Sequence, residues 1–220
     1  METQYTIYFA GDLFDHKHLI GNKLLASAIF KQSNSVYKSI LPQEHEQSDF
    51  RATAIRNQDI YLLAKCDLAL FNFDGTDLDS GTVVEFMVAK MLNIPSVILR
   101  SDFRAAGDQL KDNDPWNLMV SGYPSTQVLL LNAMQVYQSM VSTDSSLEKI
   151  LANTYTYYAE AIIRKLNSVL TDSAFWSETK SLTLYHHLNT MMGSNFKLTS
   201  EEISGIISSK KQKGLITDGI

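Results

Sequence analysis

The segment CDLALFNFDGTDLDSGTVVEF, residues 66–86, decides the fold. Its first part, Asp67 to Phe73, is a near-continuous apolar run, the signature of a central parallel strand buried on both faces. Its second part changes character at Asp74. Four acids (Asp74, Asp77, Asp79, Glu85) fall among Gly75 and Gly81, and a helical pattern then starts at Val83. A strand that hands over to a helix through a glycine-containing acidic turn is half of a βαβ unit.

The flanks repeat the pattern. TIYFA (6–10) stops at Gly11 and reads as a buried strand, followed by a helix over 18–31 with Leu19, Leu24, Leu25, Ala28 and Ile29 at helical spacing. SVYKSIL (35–41) is a strand ended by Pro42. Residues 52–65 are helical through Ile55, Ile60, Leu62 and Leu63. PSVILR (95–100) and TQVLLL (126–131) complete five strands. The expected fold is α/β: a five-stranded, doubly wound parallel sheet of flavodoxin-like, Rossmann type. From about Ser142 only helical patterns remain, over 147–170, 174–192 and 200–213, with Thr143 or Ser145 as the first cap and Gly193 ending the second. The division is therefore a domain over 1–141 and a helical C-terminal extension over 142–220.

Composition bounds the function. The chain has 220 residues, 45% of them hydrophobic and 20% charged, which suits one sizeable core. A net charge of −5 argues against a nucleic-acid surface. Lys210, Lys211 and Lys213 cluster in the last helix, but the segment 143–220 holds eight acids and eight bases and is neutral as a whole. No apolar stretch is long enough for a membrane span, and the basic region of a signal peptide is absent, so the cytoplasm is the expected compartment. The lone Cys66 excludes an internal disulfide and reads as a small core residue. His186 and His187 have no acid motif beside them, and His16 and His18 follow the first strand. No metal and no organic cofactor is assigned.

In an open parallel sheet the ligand site lies beyond the carboxyl ends of the strands, where the strand order reverses. Gly11–Asp12–Leu13–Phe14, the acidic turn and SDFRAAGD all fall at such ends. Ser80 and Gly81 open a helix whose free N–H groups attract anions and hydroxyls. Glu85, inside that helix, is expected to be held as an anion by the helix N-terminus, which suits a nucleophile. The alternative is that Asp79 caps the helix and Glu85 lies on its solvated face.

The pattern D-G-T-x-x-D-S-G-T-x-x-E over 74–85 resembles the central motif of the nucleoside 2-deoxyribosyltransferases. IYFAGDLF (7–14), LPQE (41–44), Asp59 eight residues before Asp67, and NLMVSGYP (117–124) resemble further segments of that family in its order. The resemblance implies that Glu85 is the nucleophile that attacks C1′ and forms a covalent 2-deoxyribosyl intermediate, steadied by the Tyr8 hydroxyl. It implies that Asp59 shares the proton the leaving base requires. It further implies that Asp79 receives the sugar 5′-hydroxyl, together with Asn117 from a neighbouring subunit, and that Met119 lies near the sugar. Gln43 and Phe14 line the pocket. The implied ligands are 2′-deoxyribonucleosides and free nucleobases, and the implied assembly is a homo-oligomer, a dimer at least and up to a hexamer. A hydrolase using the same Glu85 and a non-catalytic nucleoside sensor are the alternatives. Related nucleotide N-glycosidases carry serine where this chain has Asp79. Many members of the family are shorter, and in some the C-terminal carboxylate helps organise the site. Tyr155, Tyr157 or Tyr158 are candidates to replace it here.

Overall fold

The computed structural model describes residues 3–45, 52–108, 114–143 and 146–218. Five parallel strands, β1 (Tyr5–Ala10), β2 (Tyr37–Ile40), β3 (Leu68–Asn72), β4 (Ser96–Arg100) and β5 (Thr126–Leu130), lie in the order β2-β1-β3-β4-β5. This is the flavodoxin-like order, and it reverses between β1 and β3. Register is fixed by pairs such as Tyr8 with Ala69 and Leu70 with Val97.

Alternation along the central strands builds two cores. Ile7, Phe9, Leu68, Leu70, Val97 and Leu99 point to one face. Tyr8, Ala10, Ala69, Phe71 and Ile98 point to the other. Both faces are apolar because both are covered, which is why β3 reads as a continuous apolar run. Helix α1 (His16–Gln32) covers the first face through Leu25, Ala26 and Ile29. Helices α2 (Ala52–Lys65) and α3 (Ser80–Met91) cover the second. Phe86 meets both Phe71 and Phe73 edge-on there, and each buried ring is worth about 2 to 3 kcal/mol in removed apolar surface.

The C-terminal helices do not stand apart from the sheet. Helix α4 (Ala133–Thr143) leads into α5 (Leu147–Asp172), which lies on the α1 face and adds Ala159, Ile162, Leu166 and Val169 to its core. Helices α6 (Glu178–Met192) and α7 (Ser200–Gln212) lie on the α2 side, where Tyr185, Leu188, Ile203, Ile206 and Ile207 join the second core.

Local differences from the sequence expectation have physical causes. Helix α4 is absent from that reading although Val136, Tyr137 and Met140 recur at helical spacing; in the structure Val136 is buried while Met134, Tyr137 and Val141 are exposed. Helix α3 starts at Ser80 rather than Val83, since its first turn is polar and is capped by Asp79. Helix α5 has Ser146 at its N-cap; Ser145 lies outside the described residues, and Thr143 belongs to the end of α4. Gly193 ends α6 with φ +86°, a conformation glycine adopts without strain.

Candidate active site

The strand-order reversal places β1 and β3 side by side, so the loops that leave these two strands converge. Gly11 eases that approach: a Cβ there would sit 3.0 Å from the Cβ of Asn72 at the end of β3, tight enough to push the neighbour aside. Between the β1 loop, α2 and the start of α3 lies a cavity of about 220 Å³. Gly11, Phe14, Gln43, Asp59, Asp79, Gly81 and Glu85 line it.

Tyr8 projects from the middle of β1 and is fully buried. Its hydroxyl donates to Glu85 Oε1 at 2.5 Å. Burial, together with the negative charge of Glu85, holds the Tyr8 hydroxyl well above the usual phenol range, so it remains a donor. Glu85 is the sixth residue of α3, past the turn where the helix N-terminus acts strongly. Burial therefore wins, with Asp59 and Asp79 adding repulsion, and the carboxyl is pushed up to about 7 despite the Tyr8 hydrogen bond. This corrects the expectation of an anion held by the helix terminus. Burial also raises Asp59 to about 6. Two half-buried carboxyls with raised pKa values thus face one cavity.

Asp79 is the N-cap of α3. One of its oxygens accepts from the Thr82 backbone N–H at 2.7 Å and from the Thr82 hydroxyl at 2.8 Å. Capping and lining the cavity are compatible because the cap engages Oδ2 alone. Glu85 is on the cavity side of its helix, not on a solvated face.

Not every residue read from the sequence meets at this cavity. Ser80, Asn117 and Met119 line a second, larger cavity of about 730 Å³ on the other side of the α3 N-terminus, with Thr76, Asp77 and Trp116. Asn117 caps a single 3-10 turn over Leu118–Val120, accepting from the Met119 N–H at 2.9 Å. Leu118 and Met119 are 52% and 67% exposed, so this turn projects outward from its own chain. Asp74 ties the β3 and β4 loops together, accepting from the Ser101 hydroxyl and the Asp102 N–H. His18 pairs with Asp15, the N-cap of α1, and neither it nor His16 lines the cavity. Arg104 pairs with Asp102, while the buried Arg100 donates to the carbonyls of Phe73 and Arg104.

Ile55 and Thr82 line the cavity without having been picked out as site residues. Ile55 stands four residues before Asp59, hence on the same helical face, and that spacing is the signal that could have found it. Tyr155 and Tyr158 do not line this cavity: a Cβ at Gly21 would lie 3.3 Å from the Tyr155 hydroxyl, and the Tyr158 hydroxyl lies near Ser101 and Asp74. The described chain ends near the strand starts, where Thr217 pairs with Ser177 and donates to the Trp176 carbonyl. Among the described residues no group of three His, Cys, Asp or Glu could hold a metal ion, and no helix is long and apolar enough to cross a membrane.

Comparison with known proteins gives the family. Among solved structures, the chain is similar to a conserved protein from Enterococcus faecalis V583 at 27% identity and TM-score 0.43, covering 69% of this chain and 98% of that one. It is also similar to a 2-desoxiribosyltransferase from Leishmania mexicana (19% identity, TM-score 0.47, 71% and 97% covered). A 2-deoxyribosyltransferase from Bacillus psychrosaccharolyticus is matched at 14% identity and TM-score 0.41, with 66% and 95% covered. No curated protein matches the chain. The family model for nucleoside 2-deoxyribosyltransferase matches residues 7–119, which run from β1 through Glu85 to Met119. The chain belongs to the nucleoside 2-deoxyribosyltransferase family.

Proposed function

We propose that this protein moves the 2-deoxyribosyl group from one nucleobase to another through a covalent intermediate on Glu85. The observation that carries the reading is the pairing of Glu85 with the buried Tyr8 hydroxyl in a cavity that Asp59 also lines. Breaking an N-glycosidic bond builds positive charge at the sugar C1′, and an adjacent carboxylate stabilises that charge and then bonds to the carbon. The C1′–N bond breaks with its electron pair going to the base nitrogen, and Asp59 supplies the proton that the departing base takes up. The incoming base attacks C1′, the C1′–Oε bond breaks, and its electron pair returns to Glu85. The proton of the incoming base goes to Asp59. Each cycle restores both carboxyls, which gives ping-pong kinetics.

The other residues take supporting roles. Tyr8 donates to the anionic Glu85 and so offsets part of the cost of charging it in a buried place. Asp79 accepts from the sugar 5′-hydroxyl with the oxygen not engaged in the helix cap. Asn117 and Met119, exposed and on the far side of the α3 N-terminus from Glu85, complete the cavity of a neighbouring copy, so the active form is a homodimer or a larger ring built from dimers. The ligands are 2′-deoxyribonucleosides and free bases, the physiological role is nucleoside salvage, and the compartment is the cytoplasm.

Incubation of the full chain with deoxyinosine and adenine tests the proposal. The expected products are hypoxanthine and deoxyadenosine in equal amounts. Hypoxanthine without deoxyadenosine would make water the acceptor, and neither product would leave a binding protein.

A further inference from the structure

Helix α2 has two faces with different partners. Ile55 and Asp59, one turn apart, line the Glu85 cavity. The opposite face is tied to the C-terminal segment. The buried Asn57 side chain donates from Nδ2 to the Asn195 carbonyl at 2.9 Å, and its Oδ1 accepts from Arg56 Nε and Nη2 at 3.1 and 2.8 Å. Arg56 Nη2 also lies 3.4 Å from the Met192 carbonyl. One turn further along, the Tyr61 hydroxyl donates to Glu202 Oε1 at 2.5 Å. At the helix end, the Tyr185 hydroxyl donates to the Ala64 carbonyl at 2.8 Å. Glu202 is itself fixed by the reciprocal cap of α7, in which it accepts from the Thr199 N–H and donates its own N–H to the Thr199 hydroxyl.

Apolar packing alone lets a helix rotate or slide by small amounts, whereas hydrogen bonds have narrow distance and angle limits. Successive residues of a helix are about 100° apart around its axis, so a modest rotation moves a side chain from one wall of a cavity to another. We infer that the α6–α7 turn is a positioning brace: through Asn57 and Tyr61 it fixes the azimuth of α2 from which Asp59 projects toward Glu85. Asn57 and Tyr61 are positioning residues and touch no substrate. The C-terminal segment, which lies outside the matched residues 7–119, thereby acts on the site without entering it. The inference rests on the proposed role of Asp59, so its test reads Asp59 itself, without turnover.

The experiment is a carboxyl-¹³C NMR titration of Asp59 in the full chain, for the wild type and for Asn57→Ala, Tyr61→Phe and Glu202→Gln. With the brace intact Asp59 titrates at about 6. Loss of the brace admits water to its carboxyl, so in Asn57→Ala and Tyr61→Phe the midpoint falls toward the ordinary aspartate value of about 4. Glu202→Gln keeps a hydrogen bond to Tyr61 whichever way the amide lies, its Oε1 accepting from the hydroxyl or its Nε2 donating to the hydroxyl oxygen, and keeps the wild-type midpoint. If Asn57→Ala does not fold, Tyr61→Phe carries the test, because it removes one oxygen from the outer face alone. An unchanged midpoint in variants that have only lost thermal stability overturns the brace. Exchange assays on Asp59→Asn separately test the reading beneath it: undiminished exchange there removes Asp59 from the chemistry while the titration still judges the brace.

Discussion

Two concentrations of like charge sit at opposite ends of the sheet. At the strand starts, three lysines of α7 and its C-cap each have a partner: Lys210 donates to the Tyr185 hydroxyl, Lys211 pairs with Glu178 and Asp218, and Lys213 meets the buried Asp67 at 2.7 Å. At the strand ends, Asp59, Asp79 and Glu85 face one cavity, and among the described residues no lysine or arginine pairs with any of them. Structural charges are kept next to opposite charge or hydrogen-bond partners, because a buried unpaired charge is costly. Asp59 and Glu85 bear that cost with no cation beside them among the described residues, and groups held at a perturbed pKa in a cleft are where chemistry is expected. The difference between the two ends is one of accompaniment, not of charge density.

The largest expected effect lies at the unpaired end. Glu85→Ala reduces deoxyribosyl exchange by roughly 10⁴-fold or more while the fold stays intact, the scale for a lost covalent nucleophile. Steady-state exchange with circular dichroism as the folding control checks it, and activity near wild type would erase the distinction. The same residue gives a stability test. Folding raises its pKa from 4.5 to about 7, so between those values the folded state holds a proton that the unfolded state has released. Stability therefore falls as pH rises through that window. Glu85→Gln, which has no such proton, is more stable than wild type above pH 7 by on the order of 3 kcal/mol, and the gain disappears below about pH 4. Denaturant unfolding at several pH values measures it.

The paired end behaves in the opposite sense. Lys213→Met leaves Asp67 buried with only the Thr6 N–H and hydroxyl as partners, and costs about 3 kcal/mol of stability. Exchange per folded molecule is unchanged. Loss of exchange without loss of stability would mean that the lysine end is not purely structural.

A smaller effect is expected at Asp79, which belongs to both worlds as cap and cavity wall. Serine is also a good N-cap, so Asp79→Ser keeps α3. Loss of a charge-assisted hydrogen bond to the 5′-hydroxyl lowers nucleoside turnover by about 10- to 100-fold. Removing the charge also relieves repulsion of a 5′-phosphate, so preference shifts toward the monophosphate. Competition between deoxyadenosine and its monophosphate reads this directly; wild-type protein that used both equally would contradict the role of Asp79. The smallest effect is in the pH profile. With Asp59 near 6 and Glu85 near 7, the active form is the minor one of the singly protonated pair, with the proton on Asp59 and Glu85 ionised, so kcat/KM traces a narrow, low bell with limbs at about 6 and about 7.

The sheet was legible because each strand announces itself locally. Leu68 to Phe71 is apolar on both faces, and Gly11 stands where β1 passes β3 closely. That Asp59, Asp79 and Glu85 share one cavity was legible only through the family resemblance, since spacing alone left Glu85 open between a nucleophile and a solvated helix face. What the sequence did not reveal depends on distant partners. Periodicity shows that α5, α6 and α7 bury a face but not which surface they bury it against, so their packing on both sides of the sheet was hidden. Helix α4 carries an apolar stripe, but much of that stripe is exposed, so its pattern does not give its packing. The pKa of Glu85 could not be read from its place in α3, because burial by other elements outweighs the helix terminus. Likewise Lys213 cannot be assigned to Asp67 when 146 positions separate them.

The claim that Glu85 is a nucleophile and not a structural charge is tested most directly by trapping its product. The full chain is mixed with deoxyinosine in the absence of an acceptor base, quenched rapidly, digested and analysed by mass spectrometry. The account predicts a 2-deoxyribosyl adduct on the Glu85 side chain that disappears when adenine is added before the quench and never forms in Glu85→Ala. Release of hypoxanthine with no adduct at any quench time, or an adduct on a different residue, would contradict it.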